Sequence, residues 1–225
     1  MKITKYALLS TAVISLSAVS TVAIADDEGF YAGANIGFNF QQDQNSTGNP
    51  NRDLDLDFDN GGFYAGQIGY KFKENHIGRI RTEFELSYRE NDVDDIVFNN
   101  NSVVGGGDQD VLAGLANVYY DFTSVHNKLT PFVGAGIGFA NIDSNVSYNN
   151  GNATLNDDDN VFAYQAIIGA DYKINDQLSI VSDARYFALE DPELTRFGGP
   201  PPAQFTDLDS EYDSFVISTG LRYNF

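Results

Sequence analysis

Apolar and polar residues alternate with period two over eight stretches of the chain, which puts successive side chains on opposite faces of extended strands. In 30–40, Phe30, Ala32, Ala34, Ile36, Phe38 and Phe40 share one face, and Tyr31, Gly33, Asn35, Gly37 and Asn39 share the other. The contrast is sharpest in 79–89, where Ile80, Thr82, Phe84, Leu86 and Tyr88 oppose Arg79, Arg81, Glu83, Glu85, Ser87 and Arg89. The same alternation recurs in 62–72, 111–122, 132–140, 161–173, 178–188 and 214–225. Twelve charged residues lie within these stretches, and all twelve fall on the face opposite the apolar one.

A water-soluble sandwich also alternates. Two features favour a membrane barrel instead. The apolar faces end in aromatics such as Phe30, Phe40, Tyr64, Tyr88, Phe122 and Phe225, as interfacial girdles require. The opposite faces mix glycine with charges of both signs, which suits a narrow lumen. A strand needs only about 9–11 residues to cross a bilayer within a barrel. The pattern therefore predicts an all-β fold, a transmembrane eight-stranded antiparallel up-and-down β-barrel in the bacterial outer membrane, expected to be monomeric. Short links at 73–78, 123–131 and 174–177 alternate with long polar segments at 41–61, 90–110, 141–160 and 189–213, matching periplasmic turns and extracellular loops.

Residues 1–25 read as a cleaved export signal. Lys2 and Lys5 precede an apolar run from Ala7 to Val22, and Ala23-Ile24-Ala25 supplies a small-x-small cleavage site. The barrel domain is then 26–225. The chain carries 32 acidic and 13 basic residues, a formal charge of −19, which sets nucleic-acid binding aside. The absence of cysteine excludes disulfides and thiolate chemistry.

The Thr130-Pro131-Phe132-Val133-Gly134-Ala135-Gly136-Ile137-Gly138 run, the Ala184-Arg185-Tyr186 strand and the alternation around them resemble the OmpA/OmpX-like outer-membrane β-barrel family. The most specific element is Ser218-x-Gly220-x-x-Tyr223-x-Phe225, similar to the assembly signal that the barrel assembly machinery reads in that family. The chain stops at Phe225, so the OmpA-type periplasmic domain, and with it cell-wall anchoring, is not expected.

Eight strands leave a lumen that side chains can fill. Its expected charges are Lys71, Arg79, Arg81, Arg89, Lys173, Arg185 and Arg222 against Glu83, Glu85, Asp121, Asp171 and Asp183. Since unpaired buried charge is costly, a cross-lumen network is expected, centred on Arg81, Glu83, Glu85, Asp183 and Arg185. A packed polar core that plugs the barrel is favoured over a narrow path for ions or small solutes.

No catalytic constellation emerges. The two histidines, His76 and His126, fall in short turns without a serine at triad spacing. The run Asp53-Leu54-Asp55-Leu56-Asp57-Phe58-Asp59 invites a calcium reading, but Asn60 and Gly66 stand where an EF-hand loop needs Gly and Glu. The run instead continues the alternation of the second strand, and Asp157-Asp158-Asp159 reads as solvated loop. No metal site or cofactor is expected. The four long segments hold 22 acidic residues and two basic ones, Arg52 and Arg196. That display suits a structural or surface-interaction role, with a narrow channel as the alternative. Expected partners are outer-membrane lipid and lipopolysaccharide, with a basic extracellular ligand or divalent cations at the loops; a high-salt habitat would also account for the charge.

Overall fold

A backbone amide facing hydrocarbon has no water to pair with, so strands cross a bilayer only when their ladder closes on itself. The computed structural model describes residues 28–42, 44–48, 52–58, 60–98, 101–103, 105–123, 128–148, 153–190, 193–197, 207–209 and 212–225. Within them eight strands do close: β1 (Gly29–Gln41), β2 (Gly61–Lys71), β3 (Arg79–Phe98), β4 (Gly105–Asp121), β5 (Leu129–Tyr148), β6 (Ala153–Lys173), β7 (Leu178–Leu189) and β8 (Tyr212–Asn224). Each pairs antiparallel with its sequence neighbour, and β8 returns to β1 through Tyr31↔Asn224 to Gln41↔Ser214. All eight expected strands are present. The export signal at 1–25 and His126 lie outside the described residues.

The alternation separates two environments. Phe38, Ile68, Phe84, Ile137, Phe139 and Ile168 stand out from the wall, with Phe139 69% exposed. Their strand neighbours of opposite parity are buried inside. Near the short turns the outward aromatics meet edge to face, Phe30 with Tyr70 at 4.9 Å, Tyr120 with Phe122 at 5.1 Å and Tyr223 with Phe225 at 5.3 Å between centroids. Two of the short turns share a device: Asn75 Oδ1 accepts from the amides of Ile77 and Gly78, and Asn175 Oδ1 from those of Gln177 and Leu178, at 2.8–3.1 Å. Each side chain thus satisfies the backbone where the chain reverses.

At the other end the expected long loops are corrected. Much of 90–110 and 141–160 is strand, because β3 and β4 stay paired to Val93↔Gly107 and β5 and β6 to Tyr148↔Ala153. Asn, Asp and Gly lower strand propensity and hide this from the sequence, but a ladder needs an apolar face only where it meets lipid or a core. Arg52–Phe58 is a separate strand rather than an uninterrupted extension of β2. It lies against the outer part of β3 with a register shift at Asp57/Phe58, and pairs on its other side with Gln44–Gly48. Several acidic residues face one another in register, Glu90↔Asp110, Asp92↔Asp108, Asp110↔Asp143 and Asp143↔Asp158.

Inward glycines make room for large neighbours. A Cβ on Gly69 would strike the Tyr31 ring, one on Gly134 the Tyr119 ring, and one on Gly169 would come within 2.5 Å of Phe132. Outward Gly66 has nothing within 4 Å of that position. Gly134→Leu is therefore expected to cost about 1–3 kcal/mol or more through overpacking, and Gly66→Ala about 0.5 kcal/mol or less. Urea unfolding of the refolded barrel, followed by the mobility difference between boiled and unboiled samples on a detergent gel, measures both.

Candidate functional site: the barrel interior

Parity places every inward side chain within reach of the opposite wall, and the interior sorts into storeys. Nearest the short turns, Arg222 Nη1 donates to Asp171 Oδ2 at 2.6 Å, and Lys71 bonds Asn224 Oδ1. Asp121 receives Arg81 Nε at 2.7 and 2.9 Å and Arg79 Nε at 3.4 Å. The Arg81 guanidinium lies 4.2 Å from the Tyr119 ring centroid and 5.0 Å from that of Phe132. Arg81 is fully buried, so its charge is held by the carboxylate of Asp121, by the more distant one of Glu83 and by aromatic faces.

One layer further out, Glu83 accepts from the hydroxyls of Tyr31 and Tyr119 at 2.9 and 2.8 Å, with Arg81 Nη1 at 3.8 Å. Arg185 Nη1 crosses the lumen to both oxygens of Glu85 at 3.0 and 2.9 Å, while its Nε donates to Asp183 Oδ1 at 2.9 Å. Asp183 also accepts from Ser218 Oγ at 2.9 Å and Asn35 Nδ2 at 3.0 Å. Asn117 Nδ2 joins the halves by reaching Glu83 at 3.3 Å and Glu85 at 3.4 Å.

The structure thus gathers Arg81, Glu83, Glu85, Asp183 and Arg185 inside one lumen, in two clusters bridged by a neutral amide. The partners that sequence reasoning missed are Tyr31, Asn35, Asn117 and Tyr119. Inward parity marks each of them, but only strand register shows which carboxylate each meets. Asp121, expected inside but outside the network's centre, is the main partner of Arg81. Lys173 is a correction: its side chain is 48% exposed and pairs with Asp176 at 2.9 Å on the turn side, because it ends β6 beyond the last layer of opposing side chains. Of the assembly-signal residues, Ser218 and Gly220 face inward, Ser218 within the charge network, and Tyr223 and Phe225 face outward. His76 is exposed in its turn.

The outer storey corrects the expectation of a wholly polar core. Val111, Ala113, Leu115, Ala140, Ile142, Val161, Ala163, Phe187, Leu189 and Tyr212 form a buried cluster there. They take the inward parity that the sequence assigns to polar residues elsewhere, so a largely apolar storey interrupts the polar lumen. Arg89 is fully buried among them, 3.7 Å from the Phe187 centroid and 5.1 Å from that of Phe63. Above it, Asn39 Nδ2 donates to Asn91 Oδ1 and Gln41 Nε2 to Gln109 Oε1, at 2.5 and 2.6 Å. Among the described residues no group of three His, Asp or Glu side chains is placed to hold a metal ion.

A family described as "Outer membrane protein beta-barrel domain" matches residues 9–225. The outer membrane protein PagN of Salmonella typhimurium (strain LT2) is 29% identical over 172 residues, covering 70% of each chain. Among solved structures, the outer membrane protein OprG from Pseudomonas aeruginosa superposes with a TM-score of 0.59 at 14% identity, covering 89% of this chain and 98% of that one. A major outer membrane protein from Thermus thermophilus gives 0.53 at 12% identity, covering 88% and 100%. At these identities the two structures share the fold alone.

Removing one partner from a buried pair strands the other. Arg185→Met is expected to cost about 3–5 kcal/mol by leaving Glu85 and Asp183 buried without it, and Glu85→Gln added to it to recover part of that loss. Lys173→Ala, breaking a solvent-screened pair, is expected to cost about 0–1 kcal/mol. Urea unfolding in lipid vesicles of the wild type, Arg185→Met, Glu85→Gln and the double variant gives the coupling directly, with Lys173→Ala as the exposed reference.

Proposed function

The chain belongs to the outer membrane protein beta-barrel domain family, and on that premise we propose that it is a plugged barrel displaying acidic hairpins at the cell surface. It resides in the bacterial outer membrane. Its role in this reading is structural or in surface recognition, with no catalysis and no open pore. The observation that carries the reading is the filled interior. Arg81, Arg89, Phe63, Leu115 and Phe187, drawn from β2, β3, β4 and β7, have no water-accessible surface at all. An ion crossing the lumen would have to break the Arg81–Asp121 and Arg185–Glu85 pairs in sequence, each a several-kcal/mol barrier.

The hairpins supply the other half. The acidic residues of the four long segments outnumber the basic ones 22 to 2, and the outer parts of β3, β4, β5 and β6 carry many of them on paired backbone. A cation fits that surface, whether a basic ligand or divalent ions shared with anionic lipopolysaccharide. A catalytic role has little to rest on, since His76 sits in an exposed turn on the opposite end.

Planar-bilayer recording of the refolded protein tests the closed barrel. No steady conductance is expected from the wild type. A stable conductance that Arg81→Ala or Glu83→Ala abolishes would establish the narrow-channel alternative instead.

A further inference from the structure

The closing ladder between β1 and β8 ends at Gln41↔Ser214, with one further bond from Gln42 N to Asp213 O at 3.2 Å. The other neighbouring pairs carry ladders further out. Gln44–Gly48 on Arg52–Phe58 extends the β1–β2 pair, and Leu54↔Phe98 extends β2 on β3. The next three hairpin walls run to Phe98↔Asn101, Gly105↔Tyr148 and Tyr148↔Ala153. Phe197↔Thr154 then continues the β6–β7 contact, and Thr195↔Asp207 the β7–β8 contact. Among the described residues the outer wall is therefore a sheet split along one seam, with Gln44–Gly48 and Asp207–Asp209 as its edges. These edges come within 8 Å of each other between Cα atoms without a ladder bond.

Successive residues of a strand send their main-chain groups to opposite sides, and the Gln42 bond shows that the even-numbered ones face β8. Gln44–Gly48 keeps the register of β1 against its other neighbour, Asn39↔Gly61 and Gln44↔Leu56 alike. Gln44, Ser46 and Gly48 therefore turn their amides and carbonyls to the seam. Exposed edges are ordinarily blunted by proline, by charge or by a covering segment. The run Gln44-Asn45-Ser46-Thr47-Gly48 contains no proline and no charge, so nothing in it opposes a further strand. Its flanks are acidic: residues 43–59 hold five acidic side chains and one basic one, and residues 207–213 hold four acidic and none basic. A second copy of this chain would bring the same charges against them. An extended segment rich in lysine or arginine complements them.

We propose that this seam is a docking site for an extended basic segment of a partner protein, which adds as a strand along the edge of Gln44–Gly48. The inference rests on the surface-recognition reading above and gives its basic ligand a place and a mode of binding. Main-chain bonds to Gln44, Ser46 and Gly48 supply the affinity, and the acidic flanks select the charge. An inserted strand holds its two neighbours about 10 Å apart, twice the ladder spacing. The edges stand closer than that, so Asp207–Asp209 swings aside as the strand enters. Among the described residues that arm is laddered to Glu193–Thr195 alone, so its movement breaks no ladder of the closed barrel.

The test uses the full barrel refolded in detergent micelles and a short peptide alternating lysine with threonine. Amide hydrogen exchange at Ser46 and Gly48 is expected to slow by about tenfold or more as ladder bonds form. The same peptide methylated at every main-chain nitrogen keeps its charge, and a glutamate version keeps its main chain. Neither is expected to slow exchange. The chain has no cysteine, so Ser46→Cys with Asp209→Cys, opposite each other in the continued β1–β8 register, staples the seam. The oxidised pair is expected to lose the protection and reduction to restore it. Three results would overturn strand addition while leaving recognition of a basic ligand standing: equal protection by the methylated peptide, binding that leaves Ser46 and Gly48 exchanging as before, or full protection in the stapled barrel. A lysine peptide that does not bind at all would overturn both. Should the cysteines not oxidise, the methylated peptide decides alone.

Discussion

The rest of the molecule depends on one constraint, that a ladder in hydrocarbon must close. Closure with eight strands fixes the width of the tube, and the width fixes what can be inside it. Tyr31 on β1 therefore reaches Glu83 on β3, and Arg185 on β7 reaches Glu85 on the same strand from the far wall. Gly69, Gly134 and Gly169 follow from the same narrowness, each lying beneath an aromatic ring that needs the space of its missing side chain.

A narrow tube could have been filled with aliphatic side chains, and buried ion pairs bring little net stability over such a core. The outer storey shows that this chain can do so, from Val111 to Leu189. An interior apolar throughout would carry a different cost. Each strand would become a continuous apolar run, closer to the pattern that inserts as a membrane helix. Polar residues at inward positions, every second residue along much of each strand, keep the exported chain from reading that way. The charge network is then the arrangement that makes those residues tolerable once water is gone: Asp183 holds three donors and Glu83 two hydroxyls.

Period two made the fold legible, because lipid outside and a filled tube inside both depend on parity. All eight crossing strands and the outward faces of Phe38, Phe84 and Ile168 follow from it. The hairpins beyond the girdle were not legible, since neither of their faces meets lipid and no alternation is required there. In the interior, parity identified which charges point inward, but pairing depends on distance. Arg81 with Asp121 is a diagonal contact between adjacent strands, within reach of hairpin register once the turn length is known. Arg185 with Glu85 joins residues 100 positions apart, and no local pattern encodes it. Lys173 marks the opposite limit: its parity is inward, but it lies past the last opposing layer.

The acidic hairpins set a conflict that the barrel itself does not need. Like charges directly opposite in an antiparallel pair repel, and here Glu90 is in register with Asp110 and Asp110 with Asp143, a row running across three strands. Asparagine at any of these positions would keep the ladder and remove the repulsion. Folding alone therefore gives no reason for the row. The main-chain bonds that hold it extend from the closed barrel, so the wall lends its rigidity to a surface that would otherwise splay apart. Consistency between local preference and global fold is the rule in stable sequences, and departures from it concentrate where a protein meets something else. In the proposed reading the acidic row serves the surface role, and the packed lumen beneath it fixes where the paired backbone that carries the row stands.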